Sequence, residues 1–145
     1  MATFVKLNGF VEHLAEKVHN LGADTLTLAL SNTAPGSEGT PPTGSTAACV
    51  LANVTQISYT NCSSRVLTVS ASAQSGGTYS LTVNDLTLTA SGGTVGPFRY
   101  VYIYNDTATN DELIGYYDYG SSISLLTTET LTIDFDGSNG VLTVA

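Results

Sequence analysis

The chain has 145 residues, a length that fits one domain, and only 11% of them are charged, against about 25% in ordinary soluble domains. Four basic residues stand against twelve acidic ones, so the formal net charge is −8, which argues against binding to nucleic acid or to an anionic membrane. No apolar run reaches the roughly 20 residues that span a bilayer, and no signal-peptide pattern is recognised. Thr, Ser and Gly supply the polarity instead, as is more typical of extracellular or virion β-proteins than of cytosolic enzymes.

Residues 1–24 are predicted to form an N-terminal helix packed on the domain. Apolar side chains recur at steps of three and four through residues 4–21, the period of an amphipathic helix. They are Phe4, Leu7, Val11, Leu14, Val18 and Leu21. We expect this stripe to pack on the protein's own sheet, with a coiled coil between subunits as the alternative. Because the stripe packs against another surface in either case, its first four residues are candidate interface residues. His13 and His19 lie beside the stripe and are expected to be solvated.

Residues 25–145 are predicted to form a single antiparallel β domain. Apolar and polar residues alternate in about nine short segments bounded by Gly, Ser, Asn and Asp, which is the period of strands. The segments are 25–30, 66–70, 79–83, 86–90, 100–104, 113–119, 121–125, 131–135 and 141–144. The predicted fold class is mainly β, an antiparallel β-sandwich (jelly-roll-like) or barrel with one N-terminal α-helix.

Residues 31–48 form the longest stretch without a pattern and contain three of the four prolines. We expect an exposed loop, or an arm that reaches a neighbouring subunit. Cys49 and Cys62 follow this stretch, and no zinc-ligand set accompanies them. Both a disulfide between them, within or between subunits, and two free buried thiols remain open at this point.

Residues 96–120 hold six of the eight tyrosines and are predicted to form a β-hairpin. Tyr100, Tyr102 and Tyr104 share one face of the first strand, and Tyr117 and Tyr119 share one face of the second. If the register aligned all five, they would form a surface for contact between subunits. Core packing and stacking on sugar rings are the alternatives.

Motifs that carry catalysis are not found. No serine stands in a nucleophile-elbow context, and no phosphate-binding glycine loop, HExxH or CxxC occurs. Asp134, Asp136 and Asn139 alternate as in a calcium loop, but the closing bidentate Glu and flanking helices are missing. We therefore favour a hairpin turn at this segment. The alternative is a metal site with these three side chains as ligands. We predict no enzymatic activity and no cofactor.

Several segments resemble a family of small structural proteins of tailed-bacteriophage virions. They are FVEHLAEKVHNLGADTLTLALSNTAP at residues 10–35, PFRYVYIYND at 97–106, LIGYYDYGSSISL at 113–125, TLTIDFD at 130–136 and GVLTVA at 140–145. Residue 7, a leucine, departs from the pattern, and residues 36–61 match it less well. The resemblance covers both ends and most of the second half of the chain.

This resemblance implies a non-enzymatic capsid decoration or cement protein, which binds the assembled shell and stabilises it. Its implied partners are the major capsid protein and further copies of itself, as a homo-oligomer with a slight preference for a trimer. Its implied location is the capsid surface of a virion assembled in the host cytoplasm. A receptor- or carbohydrate-binding module of a tail fibre and a neck or tail component are the alternatives.

Overall fold

The computed structural model describes residues 2–145, which contain nine strands, one α-helix and two short 3₁₀-helices, Thr46–Ala48 and Leu51–Asn53. Strands account for 44% of the chain and helical residues for 10%, and the sheets do not close into a barrel, which confirms the mainly β prediction in its sandwich form. The elements are β1 Phe4–Lys6, α1 Asn8–Ala15, β2 Leu26–Ser31, β3 Val69–Ser75, β4 Thr78–Val83, β5 Leu86–Thr89, β6 Val95–Asn105, β7 Leu113–Leu125, β8 Thr130–Ile133 and β9 Leu142–Val144.

The strands form three antiparallel sheets. The largest, called here the central sheet, has the strand order β1-β7-β6-β2, and its middle is the predicted tyrosine hairpin of β6 and β7. The other two sheets have the orders β3-β4-β9 and β5-β8. The two outer strands of the central sheet both come from the first 31 residues, so the N-terminal part of the chain flanks the hairpin on both sides.

The central sheet carries a hydrophobic core on each face. Leu28 and Ile103 on one face join a core with Leu81 and Leu88 of the smaller sheets. A second core lies on the other face of the central sheet. It contains the residues of β2 and β6 that alternate along each strand with those of the first core, and residues from the segment 34–54 pack over it. Its aromatic part, called here the tyrosine cluster, consists of Tyr100, Tyr102, Tyr104 and Tyr116.

The N-terminal helix is shorter than predicted, because α1 covers only Asn8–Ala15. Residues Phe4–Lys6 are strand β1 instead, paired antiparallel with β7. Backbone pairing at the open edge of β7 therefore prevails over a side-chain pattern that also fits a helix. Beyond α1, Lys17 has the left-handed φ of 66°, which ends the helix. The stripe is thus not one helix face, and its Val11 remains 52% exposed.

The loop at residues 31–48 is partly exposed, as at Asn32 and Ser37, and partly packed against the protein. Whether it reaches a neighbouring subunit stays a prediction. Glu38 and Pro42 are buried, and Cys49, at the end of the loop, is 0% exposed. Helix α1 contacts this segment so closely that a Cβ added at Gly9 would lie 2.5 Å from the Cβ of Cys49. The absence of a side chain at Gly9 is what allows this approach.

Candidate functional site

The five predicted tyrosines do not share a surface. Tyr102 lies opposite Tyr116 in the β6–β7 pair, and Val101 lies opposite Tyr117, so Tyr117 is on the other face of the central sheet. A difference of one residue in the register reverses the face of every side chain in a strand. Tyr100, Tyr102 and Tyr104 are 7%, 0% and 5% exposed, and Leu7 packs with them at 2%. These four residues belong to the core of the chain, which corrects their assignment as interface residues. For the three tyrosines it agrees with the alternative of core packing.

The tyrosine cluster is closed by the loop that precedes Cys49. The rings of Tyr102 and Tyr116 lie 5.4 Å apart, and the hydroxyl of Tyr102 is buried without a hydrogen-bond partner in the described residues. Burial, and then the neighbouring carboxylate of Glu38, raise the pKa of Tyr102. That carboxylate accepts the backbone N–H of Gly36 through Oε2 at 3.1 Å. The loop is therefore fixed against the sheet by packing on the cluster and by its own hydrogen bonds.

The two histidines are buried, in contrast to the expectation that they are solvated. His13 and His19 are 7% and 5% exposed, and their rings lie 5.8 Å apart. Nδ1 of His19 lies 3.2 Å from the side-chain nitrogen of Asn105, which also donates to Asp24 at 2.6 Å. Burial, and then His13, lower the pKa of His19 to about 4. The neutral ring is therefore part of an internal hydrogen-bond network that ties β6 to residues 19–24.

The calcium-like segment is a turn closed by its own hydrogen bonds. Oδ1 of Asp136 accepts the N–H groups of Ser138 and Asn139 at 2.8 Å each, and Oδ2 accepts the side-chain amide of Asn139 at 2.8 Å. No group of three His, Cys, Asp or Glu side chains within residues 2–145 is arranged to hold a metal ion. The turn joins β8 to β9, which pair with β5 and β4 respectively, so it connects two sheets and is not a hairpin.

Both cysteines are free thiols. Cys49 belongs to the core on the tyrosine side of the central sheet, and Cys62 packs against the core on the opposite side. The central sheet lies between the two thiols, so they form no disulfide with each other in this chain. A disulfide between subunits stays a prediction. Burial raises the pKa of the Cys49 thiol to about 11, so this thiol is poorly reactive in the folded protein.

A groove of about 440 Å³ opens between the central sheet and β8. Its floor is the inward face of the central sheet, formed by Phe4, Val101, Tyr117 and Tyr119. Phe4 and Tyr117 are in ring contact, with centroids 5.2 Å apart. The groove thus brings together three of the predicted interface residues, Phe4, Tyr117 and Tyr119, whereas Val11 and Leu14 do not line it.

One wall of the groove is the outer edge of β8. Four consecutive residues line it, from Leu131 through Thr132 and Ile133 to Asp134. Successive side chains of a strand point to opposite faces of the sheet. A groove that is lined by every residue of a strand in turn therefore lies along the strand's edge and not over one of its faces. Strand β8 pairs with β5 on its other side, and in residues 2–145 no strand pairs with the edge at the groove. Strand alternation predicted β8, but the sequence gives no sign of which strand edge stays unpaired.

The rim of the groove is acidic. Asp134 is exposed, and within the described residues its carboxylate has no hydrogen-bond or ion-pair partner. Hydrogen bonds from the backbone and side chain of Asn139 and from Ser138 hold the pKa of Asp136 below its usual range. Burial, and then Asp136, raise the pKa of Tyr117 to about 12. The groove therefore combines an aromatic floor, an unpaired strand edge and negative charge.

The basic residues lie elsewhere. Arg99 forms the single ion pair seen between residues 2 and 145, through two hydrogen bonds of 2.7 and 2.8 Å to Asp118. The guanidinium of Arg65 lies 3.5 Å from the ring centroid of Tyr59. Neither arginine lines the groove, and neither do Lys6 and Lys17. Its negative charge is therefore not neutralised from within the described chain.

Comparison of this chain with protein-family models, with curated proteins and with solved structures found no match. Among residues 2–145, no helix has the length and apolar character needed to cross a membrane.

Proposed function

We propose that this protein is a non-enzymatic structural protein of a tailed-phage virion that decorates the assembled capsid and stabilises it. The resemblance of its sequence segments to virion structural proteins supports the virion assignment. The β-sandwich is compatible with it, since a decoration protein needs a stable fold that presents a binding surface. Its partners would be the major capsid protein and further copies of itself on the capsid surface, after assembly in the host cytoplasm.

The groove is the observation that carries a role in binding other proteins. Tyr119 is 53% exposed on its floor, and the adjoining edge of β8 has no partner strand in residues 2–145. Exposed aromatic side chains beside an unpaired strand edge are suited to attachment by strand addition. The net charge of −8 would keep the free protein soluble until it reaches the shell.

A carbohydrate-binding module of a tail fibre is the second candidate. It is favoured by the position of Tyr119 and Tyr117 beside the carboxylates of Asp134 and Asp136 in one groove, since aromatic rings and carboxylates together can bind sugars. Glycan-array binding of the isolated protein tests this candidate directly. A neck or tail component is a third placement, which differs from the first only in the surface to which the protein attaches.

The proposed function is tested on particles assembled without the protein. Purified protein added to such shells should co-sediment with them to a saturating ratio and raise the temperature at which they rupture, because a ligand that binds the assembled state alone stabilises it. The matched control is the same protein after heat unfolding. Recovery of the protein only on tails or necks, with shell rupture unchanged by its loss, would reject decoration of the capsid.

A further inference from the structure

We propose that the groove binds an extended, basic segment of another protein, which adds as a strand to the free edge of β8. The inference deepens the proposed function, since in a virion that segment would belong to the shell subunit. It concerns one defined surface, bounded by Phe4, Tyr117 and Tyr119 on the floor and by residues 131–134 along the wall.

The first argument is the backbone of β8. A strand with one free edge presents a row of unpaired N–H and C=O groups, which a second extended chain can satisfy. The edge of β8 lies along the groove from Leu131 to Ile133, and the lining continues into Asp134. An occupant that pairs there would lie parallel to the groove, so its side chains would point alternately towards the floor and away from it.

The second argument is that β1, an outer strand of the central sheet, ends before its partner β7 does. Strand β7 continues past the residues that pair with β1, and β1 reaches only as far as Tyr117. Two residues further along the same face lies Tyr119, which is 53% exposed. An added strand next to β8 would cover this ring, and its inward side chains would fill the apolar floor. Apolar residues at alternate positions are therefore expected in the occupant.

The third argument is charge, which selects the kind of occupant. Asp134 and Asp136 line the groove, and no basic side chain lines it. Lys or Arg in the occupant would be attracted to these carboxylates. A second copy of this chain fits poorly, because it carries twelve acidic and four basic residues, and two of the four, Arg65 and Arg99, already contact Tyr59 and Asp118. The occupant is therefore a different protein.

The test uses the full chain, labelled with ¹⁵N, and synthetic peptides of about eight residues, the length of an ordinary strand. One peptide alternates Lys with Val, and its control alternates Glu with Val. The Lys–Val peptide should shift the amide signals of residues 131–134 and 117–119, and its affinity should fall as salt is raised to about 1 M. The Glu–Val peptide should produce no such shifts.

Two variants and two matched controls separate the groove from general electrostatic attraction. Tyr119→Lys and Asp134→Lys should each weaken binding of the Lys–Val peptide by about tenfold or more, equivalent to about 1.4 kcal/mol. Leu126→Lys introduces a lysine at an exposed apolar residue that does not line the groove, and Glu16→Lys makes the same change in charge as Asp134→Lys at an exposed acidic residue that does not line it. Both controls should retain binding within about twofold.

Three outcomes would overturn the inference. They are the absence of peptide binding, shifts spread over other acidic surfaces, and equal weakening by the control variants. Self-association of the wild-type protein that Tyr119→Lys abolishes would assign the groove to a second copy instead. Co-sedimentation with shells tests the proposed function separately. If shells bind Tyr119→Lys and wild-type protein equally, the groove is rejected as the attachment site and decoration of the capsid stands. If the protein binds the peptide but not the shells, decoration is rejected and peptide binding in the groove stands.

Discussion

Truncation of Tyr102 is the most direct test of the tyrosine cluster as a structural core. This side chain is 0% exposed, and its ring lies 5.4 Å from that of Tyr116. Replacing a fully buried aromatic side chain by Ala costs about 3–5 kcal/mol, from lost burial and from the cavity that remains. An unfolding entropy of about 2.1 cal/mol/K per residue gives about 0.3 kcal/mol/K for this chain, so the Tm of Tyr102→Ala should fall by about 10–16 °C.

The hydroxyl group of Tyr102 should contribute much less than the ring. It is buried beside the carboxylate of Glu38, whose Oε1 is also buried, and neither of these two atoms has a hydrogen bond of normal geometry within the described residues. Removal of a buried polar group that lacks a partner leaves no other group unsatisfied. Tyr102→Phe should therefore change the free energy of unfolding by less than about 1 kcal/mol, or increase it.

Thermal unfolding followed by circular dichroism, together with urea titration, measures both variants. Tyr119→Ala is the matched control, because the same side chain is removed at a position that is 53% exposed, and its cost should stay below about 1 kcal/mol. Equal stabilities of Tyr102→Ala and the wild type would refute the assignment of Tyr102 to the core. A loss from Tyr102→Phe as large as that from Tyr102→Ala would show that the hydroxyl is hydrogen-bonded after all.

Two further predictions concern titratable groups. Because the pKa of His19 is lowered to about 4 in the folded protein, the unfolded chain binds the proton more readily, so stability should be complete above about pH 6.5 and fall by up to about 3 kcal/mol towards pH 4. Urea unfolding at several pH values should show a smaller decline for His19→Gln, and an equal decline would contradict the assignment. Cys62 should react with a thiol reagent faster than the fully buried Cys49, as single Cys→Ser variants would show, whereas equal rates in the folded protein would contradict the burial of Cys49.

Alternation alone predicts most of the sheet structure, because each strand has two different environments for its two faces. The β6–β7 hairpin and the sandwich class follow from this pattern. The relative register of Tyr102 and Tyr117 does not follow from it, since a loop and a bulge set the pairing and one residue decides the face. A prediction of the tyrosine surface therefore required information that lies outside each strand's own sequence.

The N-terminal segment and the groove show the other limit of the sequence. Phe4 fits a helical stripe, yet the unpaired edge of β7 gives it backbone partners at Tyr117. In the sequence, Gly9 indicates only that the helix is weakened at this position. Its close approach to Cys49 depends on how the loop before Cys49 packs against the helix, which the sequence does not show. The groove depends on which strand edge remains free, and this is a property of the assembled sheets. The sequence singled out Phe4, Tyr117 and Tyr119 as interface residues and Asp134 and Asp136 as alternative metal ligands, but it did not place the two sets in one groove.

The strand order of the central sheet has a consequence for synthesis of the chain. Strands β1 and β2 are made first but pair with β7 and β6, which leave the ribosome only after residue 95 has been translated. Domains generally fold as units during synthesis, and long-range strand pairing is slow. The first 31 residues must therefore wait, without their sheet partners, until most of the chain has emerged. Truncated translation products that end before β6 would lack the central sheet and expose Leu26, Leu28 and Leu30 to aggregation.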